Sequence, residues 1–334
     1  MDDKKSGPES HTISVIVSHF NSKRTIKQCL LCILNQDFPS DKFEIIVVDA
    51  GSNDGSVEIV HQLVDPRVRQ IVVPGCTEPE GHIIGVQSAK NEIIMFTNSD
   101  IYVPRNWMKK HLEWLDNGYD LVGGKVLWGG DKFAFPWTMP APKEPQIVQQ
   151  QGLGLGFSNC SVRKDFMLTI GGLKNLSSQH DTEFAFRVIR YGGKMILDPE
   201  IEVYHDHPFK SVRGSFLRSK GYALNHVIVM RATYGRLVSG SGAPAMISIG
   251  TLAREWFLIN AVHAYRQNIK AARKWNIDSG LLDFIRIRLI AVKLGQFVGI
   301  LQGMSIRNVA YSSIPDLHKQ IEKIHSPQKE VKIL

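Results

Sequence analysis

A chain of 334 residues can bury a large core, and 43% hydrophobic with 22% charged residues is an ordinary globular composition. The net charge of +8 is unevenly placed: residues 205–334 hold 19 Lys+Arg and 7 Asp+Glu, giving +12, while residues 1–204 hold 21 and 25, giving −4. Four cysteines are too few for a disulfide scaffold, and the polar start from Met1 to Thr12 lacks the apolar core of a signal peptide, so the chemistry is expected in a reducing cytoplasm.

Ile13 to Ser18 reads as a short buried strand ending at a turn, His19-Phe20-Asn21-Ser22. From Ser22 to Gln36, Ile26, Leu30, Ile33 and Leu34 recur at helical spacing, which makes Cys29-x-x-Cys32 a packing feature rather than a metal or redox motif. Phe43 to Val48 is a second strand, and it runs into Asp49-Ala-Gly-Ser-Asn-Asp-Gly-Ser56, where Asp54 is placed to start a helix. A third strand, Val68 to Val73, and a helix around Ile83 to Ala89 precede the apolar run Ile93-Ile94-Met95-Phe96. That run stops at Asn98-Ser99-Asp100. Strands alternating with helices at this spacing predict a wound, mostly parallel α/β sheet, whose ligands bind outside the carboxyl ends of the strands.

A helix from Trp107 to Leu115 and a strand from Asp120 to Leu127 follow, and then a proline- and glycine-rich stretch from Trp128 to Gly156. A loop of this length predicts a lid or binding loop, its aromatics (Trp128, Phe133, Phe135, Trp137) serving chiefly as anchors. Order resumes at Phe157 to Arg163, then a helix from Asp181 to Tyr191, a strand around Met195 to Leu197, and Ile201 to Tyr204 delivering His205-Asp206-His207. Beyond Ser211 the pattern is helical, over Thr251 to Lys270 and Leu281 to Met304. The second is interrupted by Arg286, Arg288, Lys293 and Gln296, so it reads as a bundle helix or an interfacial one rather than a span. Gly295, Gly299 and Gly303, four apart, suit close helix approach. The divisions expected are a polar tail (1–12), a catalytic domain (13–210), a basic helical region (211–310) and a polar C-terminal tail (311–334).

Asp49 and Asp100 close buried strands, Asp181 opens a helix, and His205 ends a late strand. Carboxylates and an imidazole of this kind suit a hard divalent ion with a base beside it. The blocks SVIVSHFNSKRTIKQCLLCILNQ, EIIVVDAGSNDGS, EIIMFTNSDIYVPRNWM, GFSNCSVRKDFMLTIGGL and HDTEFAFRVIRYGGKMILDPEIEVYH stand in order over residues 13–207. Together they resemble the family two inverting glycosyltransferases with the GT-A fold. The resemblance implies a nucleotide-sugar donor held by Ser18, His19, Phe20, Asp49 and Ser52, with Asp49 on the base. It implies that Asn98-Ser99-Asp100 stands at the D-x-D element, contacting the donor, with Asp100 and His205 holding Mn²⁺ or Mg²⁺ and Asn98 a weaker ligand. Asp181 would be the catalytic base.

Three departures stand out. Asn98 replaces an acid, His180 replaces the glutamate that usually precedes the base, and Gly81-His82-Ile83 replaces Ala-Arg-Asn. The Q-x-x-R-W signature of processive synthases is absent after Asp181, so transfer of one sugar to a glycan or lipid-linked acceptor is expected. The alternative is a catalytically silent nucleotide-binding or scaffold subunit. A nucleotidyltransferase would need a glycine-rich, lysine-bearing N-terminal loop, which is missing. The basic C-terminal third points to an anionic membrane surface at the inner face of the cell membrane, and no nucleic acid is expected because its cations lie on apolar helices.

Overall fold

The computed structural model describes residues 10–129, 137–138, 144–147, 155–176 and 180–206, and beyond them 213–214, 216–217, 220–221, 224, 294–295, 298–299, 301–302 and 332–333. The chain divides into two compact units; the first takes in Met1–Gly129, Pro136–His207 and Ile321–Leu334, and the second Gly130–Phe135 and Pro208–Gln320.

The first unit is built on one mixed sheet. Strands β1 (Ile13–His19), β2 (Phe43–Asp49), β3 (Val68–Val72) and β4 (Ile93–Asn98) run parallel in the order β3-β2-β1-β4. The apolar runs of β1, β2 and β4 are buried on both faces, as a parallel strand covered by helices requires. Ile13, Val15 and Val17 face a core shared with α1 (Ile26–Leu34) and α4 (Trp107–Asp116), while Ile16 faces the other core. The register sets β1 level with its neighbours: His19 lies opposite Asp49, and Ser18 opposite Asn98. Three polar strand ends therefore meet at one edge.

Past β4 the sheet turns mixed. β9 (Cys160–Arg163) runs antiparallel to both β4 and β6 (Leu121–Gly129), and β10 (Met195–Asp206) runs parallel to β6. The two-residue strand β5 (Ile101–Tyr102) pairs antiparallel with the end of β10. Sequence reasoning placed two strands where β10 is one, because Pro199 and the register shift between Asp198 and Glu202 interrupt the apolar alternation without ending the strand. The expected order from Phe157 also begins later, with β9 starting at Cys160.

Within the long stretch after Trp128, β7 (Trp137–Thr138) pairs with β6 and β8 (Gln146–Ile147) with β10. Apart from these strands and residues 128–129, 144–145 and 155–156, the expected lid lies outside the described residues, as do Phe133 and Phe135. A short strand β11 (Lys332–Ile333) covers the edge of β3, within the stretch expected to be a tail.

Helix α2 (Ser56–His61) starts where Asp54 accepts from the N–H of Ser56 at 3.1 Å and from its hydroxyl, as expected. Helix α3 spans Glu78–Ser88, beginning five residues before the expected start at Ile83. Thr77 and Glu80 form a reciprocal capping box with a proline in the first turn, which was the overlooked signal. At Gly85 a side chain would collide with Ile16 of β1, so glycine lets α3 lie against the sheet. Helices α5 (Lys164–Thr169) and α6 (His180–Arg190) complete this face.

Of the second unit, residues 294–295, 298–299 and 301–302 are helical, and a side chain at Gly295 would strike the Phe216 carbonyl, in keeping with the close approach expected there. The helix expected at Thr251 to Lys270, and Gly303, lie outside the described residues. Among the described residues no helix is long and apolar enough to cross a membrane.

Candidate functional site

Asp49 is fully buried at the end of β2, and its Oδ1 accepts the N–H groups of Gly51 and Ser52 at 2.7 and 2.6 Å. Its Oδ2 lies 3.0 Å from Nε2 of the equally buried His19 on β1. Burial alone would raise the Asp49 carboxyl, but the hydrogen bonds from His19 and from Ser52 outweigh it and hold the group below its ordinary range. Asp49 thus enters the site as a carboxylate that shapes the 50–52 turn. Ser52 in turn accepts the N–H of Asn21 at 2.8 Å, and Asn21 Oδ1 accepts that of Asn53 at 3.0 Å, knitting the turns after β1 and β2 together. Phe20 stands 58% exposed beside them, an aromatic face open to a flat ligand.

At the end of β4, Asn98 is clasped on both sides. Its Oδ1 accepts from the Ser18 hydroxyl at 3.0 Å, and its Nδ2 donates to the Ser158 hydroxyl at 3.3 Å. The Ser99 hydroxyl shares a 2.7 Å bond with Ser22, and the Ser99 N–H donates to the Ser18 carbonyl at 3.1 Å. The buried Cys29 thiol donates to the Asn98 carbonyl at 3.3 Å, consistent with its packing role. Burial, and then the nearby Asp100 carboxylate, push that thiol well up.

Asp100 and His205 do come together, with Oδ2 and Nε2 3.0 Å apart; the Asp100 side chain is 19% exposed and that of His205 4%. Sequence reasoning missed what fixes them. Arg24 grips Asp206 through both guanidinium nitrogens at 2.8 and 3.0 Å, and Tyr102 donates its hydroxyl to Asp206 at 2.9 Å. Burial, and then the hydrogen bond and charge of Asp206, keep the Tyr102 phenol protonated far above its ordinary range. Only the HDH run hinted at Asp206; nothing local pointed to Arg24.

Asp181 is the second residue of α6 and partly buried, its Oδ1 accepting the Thr182 N–H at 2.7 Å. It lies close enough to Cys160, which faces Phe96 of β4, to push that thiol further up than burial already does. The residue before it, His180, meets His82 of α3 with ring nitrogens 3.0 Å apart. Both histidines were noted in the sequence only as departures from a pattern.

A divalent ion that bridges a diphosphate needs one or two protein ligands, the rest coming from phosphate oxygens and water. Asp100 and His205 fit that demand, a carboxylate open to solvent on one side with an imidazole against it. Among the described residues no group of three or more His, Cys, Asp or Glu gathers.

The profile of glycosyl transferase family 2 matches residues 14–167. Glycosyltransferase AglE of Haloferax volcanii is 29% identical over 130 residues, 37% of this chain and 40% of that protein. The poly(ribitol-phosphate) beta-N-acetylglucosaminyltransferase TarS of Staphylococcus aureus is 29% identical over 138 residues, 40% of this chain and 24% of that protein. The matches thus span well under half of these relatives' length. Among solved structures, the mannosyltransferase PcManGT of Pyrobaculum calidifontis, in complex with GDP-Man and Mn²⁺, superposes with a TM-score of 0.58 at 16% identity over 90% of both chains. Residues 1–349 of S. aureus TarS superpose with a TM-score of 0.50 at 16% identity over 92% of this chain and 91% of that one. These two likenesses establish the GT-A sheet as the fold. Residues 14–167 are thus a glycosyl transferase family 2 domain.

Proposed function

We propose that the protein transfers a single sugar, with inversion and with a divalent metal, from a nucleotide-sugar donor to a hydroxyl of a glycan or lipid-linked acceptor. The observation that supports it most directly is the Asp100–His205 pair, reached by a strand that ends level with the Asp49 turn. In this reading Phe20 and the turn organised by Asp49, His19 and Ser52 receive the nucleoside, and Ser18, Asn98 and Ser99 line the donor beside Asp100. Asp100 and His205 would hold Mn²⁺ or Mg²⁺, with Asn98 at most a weaker ligand because its amide already bridges Ser18 and Ser158. When bound, such an ion supplies charge to offset the negative charge growing on the departing diphosphate.

Asp181 is the group proposed to take the acceptor hydroxyl proton as that oxygen attacks the anomeric carbon. A carboxylate is a competent base there because the hydroxyl becomes acidic only as the new bond forms. Screening nucleotide sugars for thermal stabilisation with and without Mn²⁺ identifies the donor. Asp181→Asn should then abolish transfer while donor binding persists, and a variant with full activity would sink the assignment of the base.

The engagement of Asn98 supports a second reading, a silent nucleotide-binding or scaffold subunit of a glycan-assembly complex. Mn²⁺-dependent turnover of any nucleotide sugar by the purified protein overturns that reading. The proposed organisation keeps a tail at 1–12, the catalytic domain at 13–210, a basic helical region at 211–310 and the C-terminal stretch 311–334. We place the protein in the cytoplasm at the inner membrane face, on the +12 charge of residues 205–334. Salt-sensitive sedimentation with anionic vesicles is expected, and no binding at low salt would count against it.

A further inference from the structure

Two of the three departures from the family pattern touch each other. His82 on α3 and His180 at the start of α6 approach with Nδ1 and Nε2 3.0 Å apart. His82 is fully buried and His180 is 6% exposed. Around them the rings of Phe96 and Phe157 stand edge-on to His82 at 5.2 and 5.4 Å, and Phe157 also meets His180 at 5.2 Å. Phe157 itself stacks on Phe96 at 4.5 Å, two residues before Asn98, so the pair is wedged against the end of β4.

Burial, and then the neighbouring His180, hold His82 neutral far below its ordinary range. At this distance the facing nitrogens share one proton: one ring donates N–H and the other accepts. Among the described residues His82 Nε2 and His180 Nδ1 have no hydrogen-bond partner, so the shared bond is the one polar tie either ring makes. A second tie, Asn175 Nδ2 donating to Glu80 Oε1 at 3.3 Å, joins the same first turns of α3 to the chain just before α6. Helix α3 is a firm base for both, being capped at Thr77 and seated on β1 through Gly85.

We infer that the His82–His180 hydrogen bond positions Asp181, by fixing the first turn of α6 on α3. The inference rests on Asp181 being the base, as proposed above. His180 is a positioning residue and touches no substrate. A shift of about 1 Å in a reacting group costs up to about 100-fold in rate, so the pair acts on turnover and leaves the donor site alone.

The experiment uses the full chain and whichever of UDP-glucose, UDP-N-acetylglucosamine and GDP-mannose the wild type turns over. His180→Leu removes the bond, whereas His180→Gln places an amide where Nε2 lies. The expected result is a fall in kcat of about 10- to 100-fold for His180→Leu, with donor KM within about twofold, and recovery of most of that loss in His180→Gln. Equal kcat in His180→Leu and wild type, or equal losses in the two variants, would overturn the inference. A second measurement stands apart from activity and from the folding of variants. Nitrogen-15 spectra of the wild-type imidazoles should show coupling across a hydrogen bond between His82 Nδ1 and His180 Nε2, and its absence would overturn the inference. Absence of turnover with all three donors would instead count against the proposed function, while the imidazole spectra still decide the pair.

Discussion

The backbone N–H of Asp206 donates to the carbonyl of Asp100 at 2.7 Å. That bond ties the end of β10 to the turn after β4 and brings the His205 imidazole onto the Asp100 carboxylate. If Asp100 and His205 hold the ion, as proposed, losing either should be severe. Asp100→Asn and His205→Ala are each expected to weaken Mn²⁺ binding by at least about 100-fold. Titrating Mn²⁺ into the protein with a nucleoside diphosphate present measures it; unchanged affinity in Asp100→Asn would remove Asp100 from the proposed metal site.

Arg24, just before α1, reaches the same place through Asp206. Its side chain is 44% exposed, which makes its ion pair with Asp206 a modest contributor to stability, about 1 kcal/mol or less. Its geometry matters more, because it holds the residue that adjoins His205. Arg24→Ala should therefore leave the melting temperature within a few degrees yet raise the Mn²⁺ dissociation constant by about tenfold. Calorimetric titration beside a thermal melt separates the two effects, and a large drop in melting temperature with unaltered Mn²⁺ affinity would contradict this division.

Much of this architecture is legible in the order of apolar and polar residues. The apolar runs of β1, β2 and β4 each stop abruptly at a polar residue, and burial on both faces leaves such strands little freedom to be anything else. Hence Asp49, Asp100 and, in the first turn of α6, Asp181 stand out as positions. Their partners do not. His19 with Asp49, Arg24 with Asp206 and His82 with His180 are pairs made by register and by helix docking, which leave no local periodicity to read. Asn98 shows the same limit: its residue type suggests a weakened ligand, whereas its hydrogen bonds make it a clasp between β1 and the segment before β9. The start of α3 escapes for a different reason, since Gly81 and Gly85 dilute its apolar stripe while its capping box lies in plain view.

That clasp gives a third prediction. Asn98→Asp keeps the acceptor toward Ser18 and loses the donor toward Ser158, whose hydroxyl can rotate to donate instead. The fold should survive with a loss of about 1 kcal/mol or less, and the added charge two residues from Asp100 should tighten Mn²⁺ binding by a few-fold. Mn²⁺ titration of the variant checks it, and unchanged or weaker affinity would show that position 98 does not act on the proposed metal site.

Acid should unfold the protein through its buried histidines, and His111 on α4 is the clearest case. Its Nε2–H donates to Asn159 Oδ1 at 3.1 Å, which leaves Nδ1 to accept from the Ser161 hydroxyl at 2.9 Å. Asn159 Oδ1 also accepts from Trp107 Nε1 at 2.8 Å, so the neutral ring completes a buried network. Burial outweighs the opposing pull of Asn159 and Asp198 and lowers the His111 pKa from 6.5 to about 4. An unfolded chain takes up this proton near pH 6.5 but the folded one not until about pH 4. Between those values the unfolded state binds more protons. The stabilisation is complete above about pH 6.5 and is lost as the pH falls toward 4, by up to roughly 3 kcal/mol for this group. Urea unfolding followed by the fluorescence of buried Trp107 should show the midpoint dropping between about pH 7 and about pH 4.5. In His111→Gln the midpoint should be lower at pH 7 but fall less steeply. A wild-type midpoint indifferent to pH over that range, or a variant with an undiminished slope, would mean that His111 is not held neutral by its burial.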